Sequence, residues 1–247
     1  MANAILMASG LGSRMRPLTN TTPKPLIKVN NTPMIETVIN ALEMARVEHI
    51  FIVVGYLGEQ FSYLTDKYSN VSIINNADYE TVNNISSIYY AREEMKKSDV
   101  YICEADLYIS DTAILQCIDK SKSGYCGIMV EGHSDDWVFE QDSDGIITRV
   151  GKVGDNCFNM CGLSYFNKEQ ALLIANEIER IYGNKGQYED LFWDDVVNSI
   201  INKLDLTVFP VNANQIVEID TVEELEAINK SFIWGYLYEG WKLNKGT

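Results

Sequence analysis

The sequence predicts an α/β fold, a three-layer arrangement in which a mixed, mostly parallel sheet carries helices on both faces. Three observations lead there. The strand candidates of the first half are short and apolar throughout, as strands buried on both faces are. They alternate with amphipathic helical segments, a pattern that builds right-handed βαβ units. A length of 247 residues is enough to close one packed domain of this kind.

Ala4–Met7 reads as the first buried strand, and the stretch Ser9–Pro25 behind it holds three prolines and two glycines, too many for regular structure. Thr32 is placed as N-cap of the first helix, with Pro33 at its first position and Ile35, Val38, Ile39 and Leu42 on one face as far as about Arg46. A strand at Ile50–Val54, a helix over about Gly58–Lys67, a strand at Val71–Ile74, a helix over about Ile85–Met95 and a strand at Val100–Cys103 continue the alternation. A short helix then carries Ile114, Leu115 and Ile118.

Strand-like segments follow at Tyr125–Val130, Trp137–Gln141, Ile146–Val150 and Met160–Phe166, separated by DSDG and GDN turns, so this half is expected to be a mixed sheet with hairpins. Asn167 caps a helix, with Gln170 at its third position and Ala171, Ile174, Ala175 and Ile178 on its apolar face. A helix over about Asp190–Ile201, strands at Leu206–Phe209 and Ile216–Ile219, and a helix opened by a Thr221/Glu224 box complete a domain spanning residues 1–231. Residues 232–247 form an aromatic tail (Phe232, Trp234, Tyr236, Tyr238, Trp241) that suits either a segment packed on the domain or a homodimer contact.

Composition narrows the function classes. Twenty basic against 35 acidic residues give a net charge of −15, which repels nucleic acid and anionic membranes. The charge is unevenly placed: residues 1–35 carry +4 with no Asp or Glu, and the remainder carries −19. The basic end is suited to an anion. No apolar run approaches a membrane span and no signal-type block opens the chain, so the expected location is the cytoplasm. Five cysteines without a CxxC pair, and His49 and His133 far apart, argue against a disulfide framework, a zinc site or a histidine triad.

The densest chemistry is the run from Leu6 through Ala8, Ser9, Gly10, Leu11, Gly12 and Ser13 to Arg14, followed by Pro23-Lys24-Pro25. Small residues after a buried strand let backbone N–H groups approach phosphate oxygens. The run lacks the third glycine of the dinucleotide fingerprint and the Gly-Lys-Ser/Thr of the P-loop. Behind the glycines stand two cations. Arg14 can fork onto phosphate oxygens, and Lys24 is a point charge held between prolines. Asp106 and Asp220 each follow a strand, at the sheet edge where such folds bind ligands. Hard carboxylate oxygens suit Mg²⁺.

Gly10-Leu11-Gly12-Ser13-Arg14 followed by Pro23-Lys24 closely resembles the signature of the nucleoside triphosphate:phosphate-monoester nucleotidyltransferases. The resemblance implies a Rossmann-like fold and an in-line attack by an acceptor phosphate on the α-phosphorus of a nucleotide, with pyrophosphate leaving. It further implies that Arg14, Lys24 and Asp106 act on the reacting phosphates and that Asp106 and Asp220 hold Mg²⁺.

Further matches run to about residue 230. They include GYLGEQFSYL at 55–64, Asn83-Asn84 with Ser87-Ile88, Trp137, the segment Asp190–Asp194, and Glu218-Ile219-Asp220. Among the subfamilies the chain is most similar to bacterial choline-phosphate cytidylyltransferases, which implies CTP and phosphocholine as substrates. Trp137 and Trp193 then stand as aromatic walls for a quaternary ammonium, or as ordinary core. Glu189, Asp190 and Asp194 stand as its acidic neighbours. Asn83, Asn84 and Ser87 suit either the edge of cytosine or a helix cap, and Lys152 a contact to the acceptor phosphate. A primary-amine acceptor such as 2-aminoethylphosphonate, a sugar 1-phosphate, and a nucleotide sensor without turnover are the competing readings.

Overall fold

A computed structural model of the protein describes residues 2–230. The aromatic tail at 232–247, with both readings of it, packing on the domain or a homodimer contact, lies outside the described residues. In chain order the strands are β1 (Ala2–Ala8), β2 (Lys28–Val29), β3 (Thr32–Pro33), β4 (Ile50–Val54), β5 (Val71–Asn75), β6 (Asp99–Glu104), β7 (Leu107–Ile109), β8 (Ser123–Gln141), β9 (Ile147–Phe166), β10 (Leu206–Pro210) and β11 (Ile216–Glu218). The helices are α1 (Met34–Met44), α2 (Tyr63–Lys67), α3 (Ile85–Met95), α4 (Lys168–Tyr182), α5 (Trp193–Ser199) and α6 over 222–230.

The main sheet runs β10-β8-β9-β6-β1-β4-β5. Its β1/β4, β1/β6, β4/β5 and β8/β10 ladders are parallel, and β9 is antiparallel to both β6 and β8. Strand β1 lies in the interior of the sheet and is buried on both faces. Ala4, Leu6 and Ala8 enter the core layer under α1, while Ile5 enters the layer under α3, α4 and α5, a period-two split that only a doubly covered strand requires. The expected α/β class and the helices on both faces are what the chain forms.

Several boundaries differ from the expected ones, each for a local reason. Thr32 and Pro33 pair with Val29 and Lys28 as a two-residue ladder, so Pro33 rather than Thr32 is the N-cap and α1 begins at Met34. The segment Gly58–Lys67 splits into a 3₁₀ turn at Gly58–Phe61 and the five-residue α2. The four strand segments of the second half merge into two long strands, β8 and β9, bent by repeated register shifts. The DSDG turn joins them, with Asp142 Oδ1 accepting from the Asp144 and Ile146 amides. The GDN turn does not exist; residues 154–156 stay within β9, with Asn156 at φ 50°. The helix expected from Asp190 begins only at Trp193. The two remaining N-terminal signals hold as expected: Asn167 Oδ1 accepts from the Gln170 amide, and Glu224 and Thr221 form a reciprocal box at α6.

Candidate active site

The carboxyl ends of β1 and β6 open into a cleft of about 870 Å³, lined among others by Ala8, Ser9, Gly10, Leu11, Gly12, Arg14 and Lys24. Its volume is in the range of small-molecule sites. The loop after β1 is a chain of three 3₁₀ turns, Ser13–Met15, Leu18–Asn20 and Lys24–Leu26. The GYLGEQFSYL segment pins it from outside. The Tyr56 amide donates to Ser9 O, the Tyr56 hydroxyl to Thr19 O at 2.9 Å, and Gln60 Nε2 to Thr21 O at 2.9 Å.

Met15 anchors the loop from beneath. It packs in a small separate core with Ile27, Val29, Met34, Ile219 and Leu225, so the glycine loop and the segment carrying Asp220 share one set of apolar contacts. Gly12 sits at φ 58°, and a Cβ there would meet Lys24 Cβ at 2.9 Å and Thr19 Cγ2 at 3.0 Å. A side chain at Gly12 would push Lys24 out of place, whereas a Cβ on Gly10 meets nothing within 4 Å and would project into open space.

Lys24 is buried at the cleft floor and donates to Asp106 Oδ2 at 2.6 Å and Asp220 Oδ1 at 2.7 Å. Arg14, 68% exposed, donates to the same Asp220 oxygen at 2.6 Å. Burial alone would lower the Lys24 ammonium, but the two carboxylates outweigh it and hold it above the usual lysine range. The four residues singled out for phosphate and metal chemistry, from three distant stretches of chain, are thus brought together.

Two acids the sequence reading missed complete this group. Carboxylate oxygens of Asp106, Glu218 and Asp220 lie within 4.8 Å of one another, an oxygen-only donor set of the kind hard divalent cations take. Glu104 lines the cleft beside them. Burial pushes both glutamates up, reinforced for Glu104 by Glu218 and Asp106 and for Glu218 by Asp106 and Asp220; Glu218 reaches about 7. The signal was present in the sequence as a repeated spacing, Glu104-x-Asp106 and Glu218-x-Asp220, because residues two apart on extended chain face one side.

The other end of the cleft departs more from expectation. Trp193 is 3% exposed, stacks on Tyr125 at 5.7 Å and meets Phe166 edge-on, so its ring is core and offers no wall to the cleft. Glu189 is likewise outside the cleft lining: its carboxylate accepts from the Gly186 and Tyr188 amides and holds the loop before α5. Asp190 is also absent from the lining, its carbonyl taking the Asn83 amide group at 3.4 Å.

Asn83 and Asn84 do line the cleft, but their side chains are engaged as loop pins. Asn83 Oδ1 accepts from the Asn84 amide and Asn84 Oδ1 from the Trp193 amide. Ser87 is buried in a polar chain with Ser9 and Asn76 at the cleft wall.

Asp194 lies at the cleft wall, accepting from the Tyr125 hydroxyl at 3.2 Å; burial raises its carboxyl to about 7. Trp137 and Lys152 face each other across β8 and β9 and both line the cleft. Phe192, Asp135 and Asp136, none of them singled out beforehand, complete this end.

Residues 3–135 match the nucleotidyl transferase family. The chain belongs to that family. It is 52% identical over 232 residues to a 2-aminoethylphosphonate cytidylyltransferase of Lancefieldella rimae, covering 94% of each chain. It is 34% identical to a choline-phosphate cytidylyltransferase of Streptococcus pneumoniae, covering 92% of this chain and 96% of the relative. The solved structure of the CTP:phosphocholine cytidylyltransferase of Streptococcus pneumoniae superposes with a TM-score of 0.84 at 33% identity, over 94% of this chain and 99% of that one. This nucleotidyltransferase therefore sits among relatives that differ in acceptor, so its own cleft has to be read for the choice.

Proposed function

We propose that the protein transfers CMP from CTP to 2-aminoethylphosphonate and releases pyrophosphate. The observation that carries the choice of acceptor is the acceptor end of the cleft. Trp193, one of the two aromatic walls expected of a quaternary-ammonium cage, is buried core, while Asp135, Asp136 and Asp194 line the cleft. A primary ammonium has three N–H donors for such carboxylates, and a trimethylammonium has none. The 52% identity to an aminoethylphosphonate enzyme supports the same reading.

In this reading the loop from Leu6 to Ser13 and Arg14 bind the triphosphate, and Ser87 with the Asn83–Asn84 segment lies along the nucleoside. Lys24 stabilises negative charge developing at the α-phosphorus. A phosphonate oxygen, already ionised, attacks that phosphorus, the bond to the bridging oxygen of the β-phosphate breaks, and the electron pair leaves with pyrophosphate. No general base is needed. Asp106, Glu218 and Asp220 have the donor chemistry and mutual spacing to hold Mg²⁺. A divalent cation held there would supply neutralisation of the charge on the reacting phosphates.

Pyrophosphate release with CTP and Mg²⁺, compared for 2-aminoethylphosphonate and phosphocholine, tests the reading. The expected result is a higher kcat/KM for 2-aminoethylphosphonate. Equal or better use of phosphocholine would overturn it and favour the second reading, to which the aromatic pair Trp137 and Phe192 lends support.

A further inference from the structure

The acceptor end of the cleft holds one aromatic corner, and it is filled by the chain's own ammonium. Trp137 and Phe192 meet edge to face with centroids 5.5 Å apart. Lys152 Nζ lies 5.6 Å from the Trp137 centroid and 5.3 Å from that of Phe192, a cation–π position on both rings. Among the described residues no carboxylate lies within 4.0 Å of Lys152 Nζ, so the rings are its only close partners of opposite polarity.

The lysine is placed there by the hairpin. It is the cross-strand partner of Trp137, and side chains of such partners share a face. Its backbone is clamped by Arg149, whose guanidinium donates to Lys152 O at 3.2 Å and to Val153 O at 2.9 Å while pairing with Glu140.

We infer that Lys152 is a specificity-determining residue that bars quaternary-ammonium acceptors by occupying the Trp137–Phe192 corner with its own charge. The inference rests on the acceptor reading above and supplies its physical basis. A trimethylammonium group has no hydrogen-bond donor, so its favourable seat in this cleft is an aromatic face. Reaching it means displacing Lys152 or enduring like-charge repulsion beside it. A primary ammonium is not so confined, because its N–H groups can donate to the carboxylates of Asp135 and Asp136, which line the same cleft. Lys152 acts here by exclusion, which differs from the acceptor-phosphate contact expected of it from the sequence.

The test uses the full chain and its Lys152→Met and Lys152→Ala variants. Titration with tetramethylammonium chloride, followed by tryptophan fluorescence, reads the corner without turnover. Lys152→Met is expected to bind tetramethylammonium about tenfold more tightly than the wild type, the order that one or two cation–π contacts provide. Adding Trp137→Leu should abolish that gain. In the pyrophosphate assay, the ratio of kcat/KM for phosphocholine to that for 2-aminoethylphosphonate should rise about tenfold in both variants.

Unchanged tetramethylammonium binding overturns the inference. So does an equal loss with both acceptors, which would mark Lys152 as a ligand of the acceptor phosphorus oxygens. The wild-type acceptor preference reports separately on the proposed function, so each idea can fail alone.

Discussion

Gly10 and Gly12 look equivalent in the sequence and differ in what a methyl group meets. At Gly12 a Cβ collides with Lys24 Cβ and Thr19, and the residue holds φ 58°. Gly12→Ala combines left-handed strain with overpacking and should destabilise the protein by about 1–3 kcal/mol. It should also lower turnover, because it shifts the lysine that meets Asp106 and Asp220. Gly10→Ala meets no protein atom within 4 Å. Its melting temperature should match the wild type while the KM for CTP rises, since the methyl group stands where the loop backbone must approach phosphate. Thermal unfolding paired with CTP kinetics separates the two; a stability loss at Gly10 as large as at Gly12 would contradict the geometry.

At the level of elements, the Thr221/Glu224 box does more than start α6. Glu224 Oε2 accepts from the Asp220 amide at 2.8 Å and the Thr221 amide at 2.9 Å, so the helix cap also fixes the backbone of a carboxylate that meets Lys24 and Arg14. Glu224→Ala should cost about 0.5–2 kcal/mol of stability and raise the Mg²⁺ concentration needed for half-maximal activity. Glu224→Gln, which keeps an acceptor oxygen, should restore most of both. An unaltered Mg²⁺ requirement in the alanine variant would refute the coupling.

This box, the Asn167 cap and the strand–helix alternation were legible in the sequence because each depends on residues a few positions apart. The continuous bent hairpin of β8 and β9 was not, since its register shifts are set by packing against distant chain. Of the two readings open for Trp193, wall or core, the structure shows core, and its neighbours already pointed there: Val196, Val197 and Ile200 follow it at helical spacing and all four are buried. Phe192, one residue earlier, instead meets Trp137 in the cleft.

Across the whole molecule, the division into +4 over residues 1–35 and −19 elsewhere becomes a gradient across one cleft. Arg14 and Lys24 from the basic start face Asp106, Glu218 and Asp220 from the acidic remainder. Concentrating acids in this way has a cost that depends on pH. Asp194 and Glu218 rise to about 7 and Glu104 also lies high, chiefly through burial. Each such group keeps a proton in the folded protein that the unfolded chain has already lost above about pH 4.5.

Where the folded state binds more protons, stability falls as pH rises, so Asp194 and Glu218 withdraw stability between about pH 4.5 and 7, and Glu104 acts in the same direction. His133, raised by Asp155 and Asp135, acts in the same direction, since its contribution is present below its unfolded value and lost through the folded one. Glu177, Glu179, Glu189, Asp111 and Asp119 are held low by their partners, and they withdraw stability only on the acid side of the ordinary carboxylate range. The melting temperature without divalent cation should therefore be higher at pH 5.5 than at pH 8. Millimolar Mg²⁺ should raise it more at pH 8, where the acids are ionised and able to bind the cation. A melting temperature that is flat between these two pH values, or equally shifted by Mg²⁺ at both, would show that the buried carboxylates do not carry the cleft's charge balance.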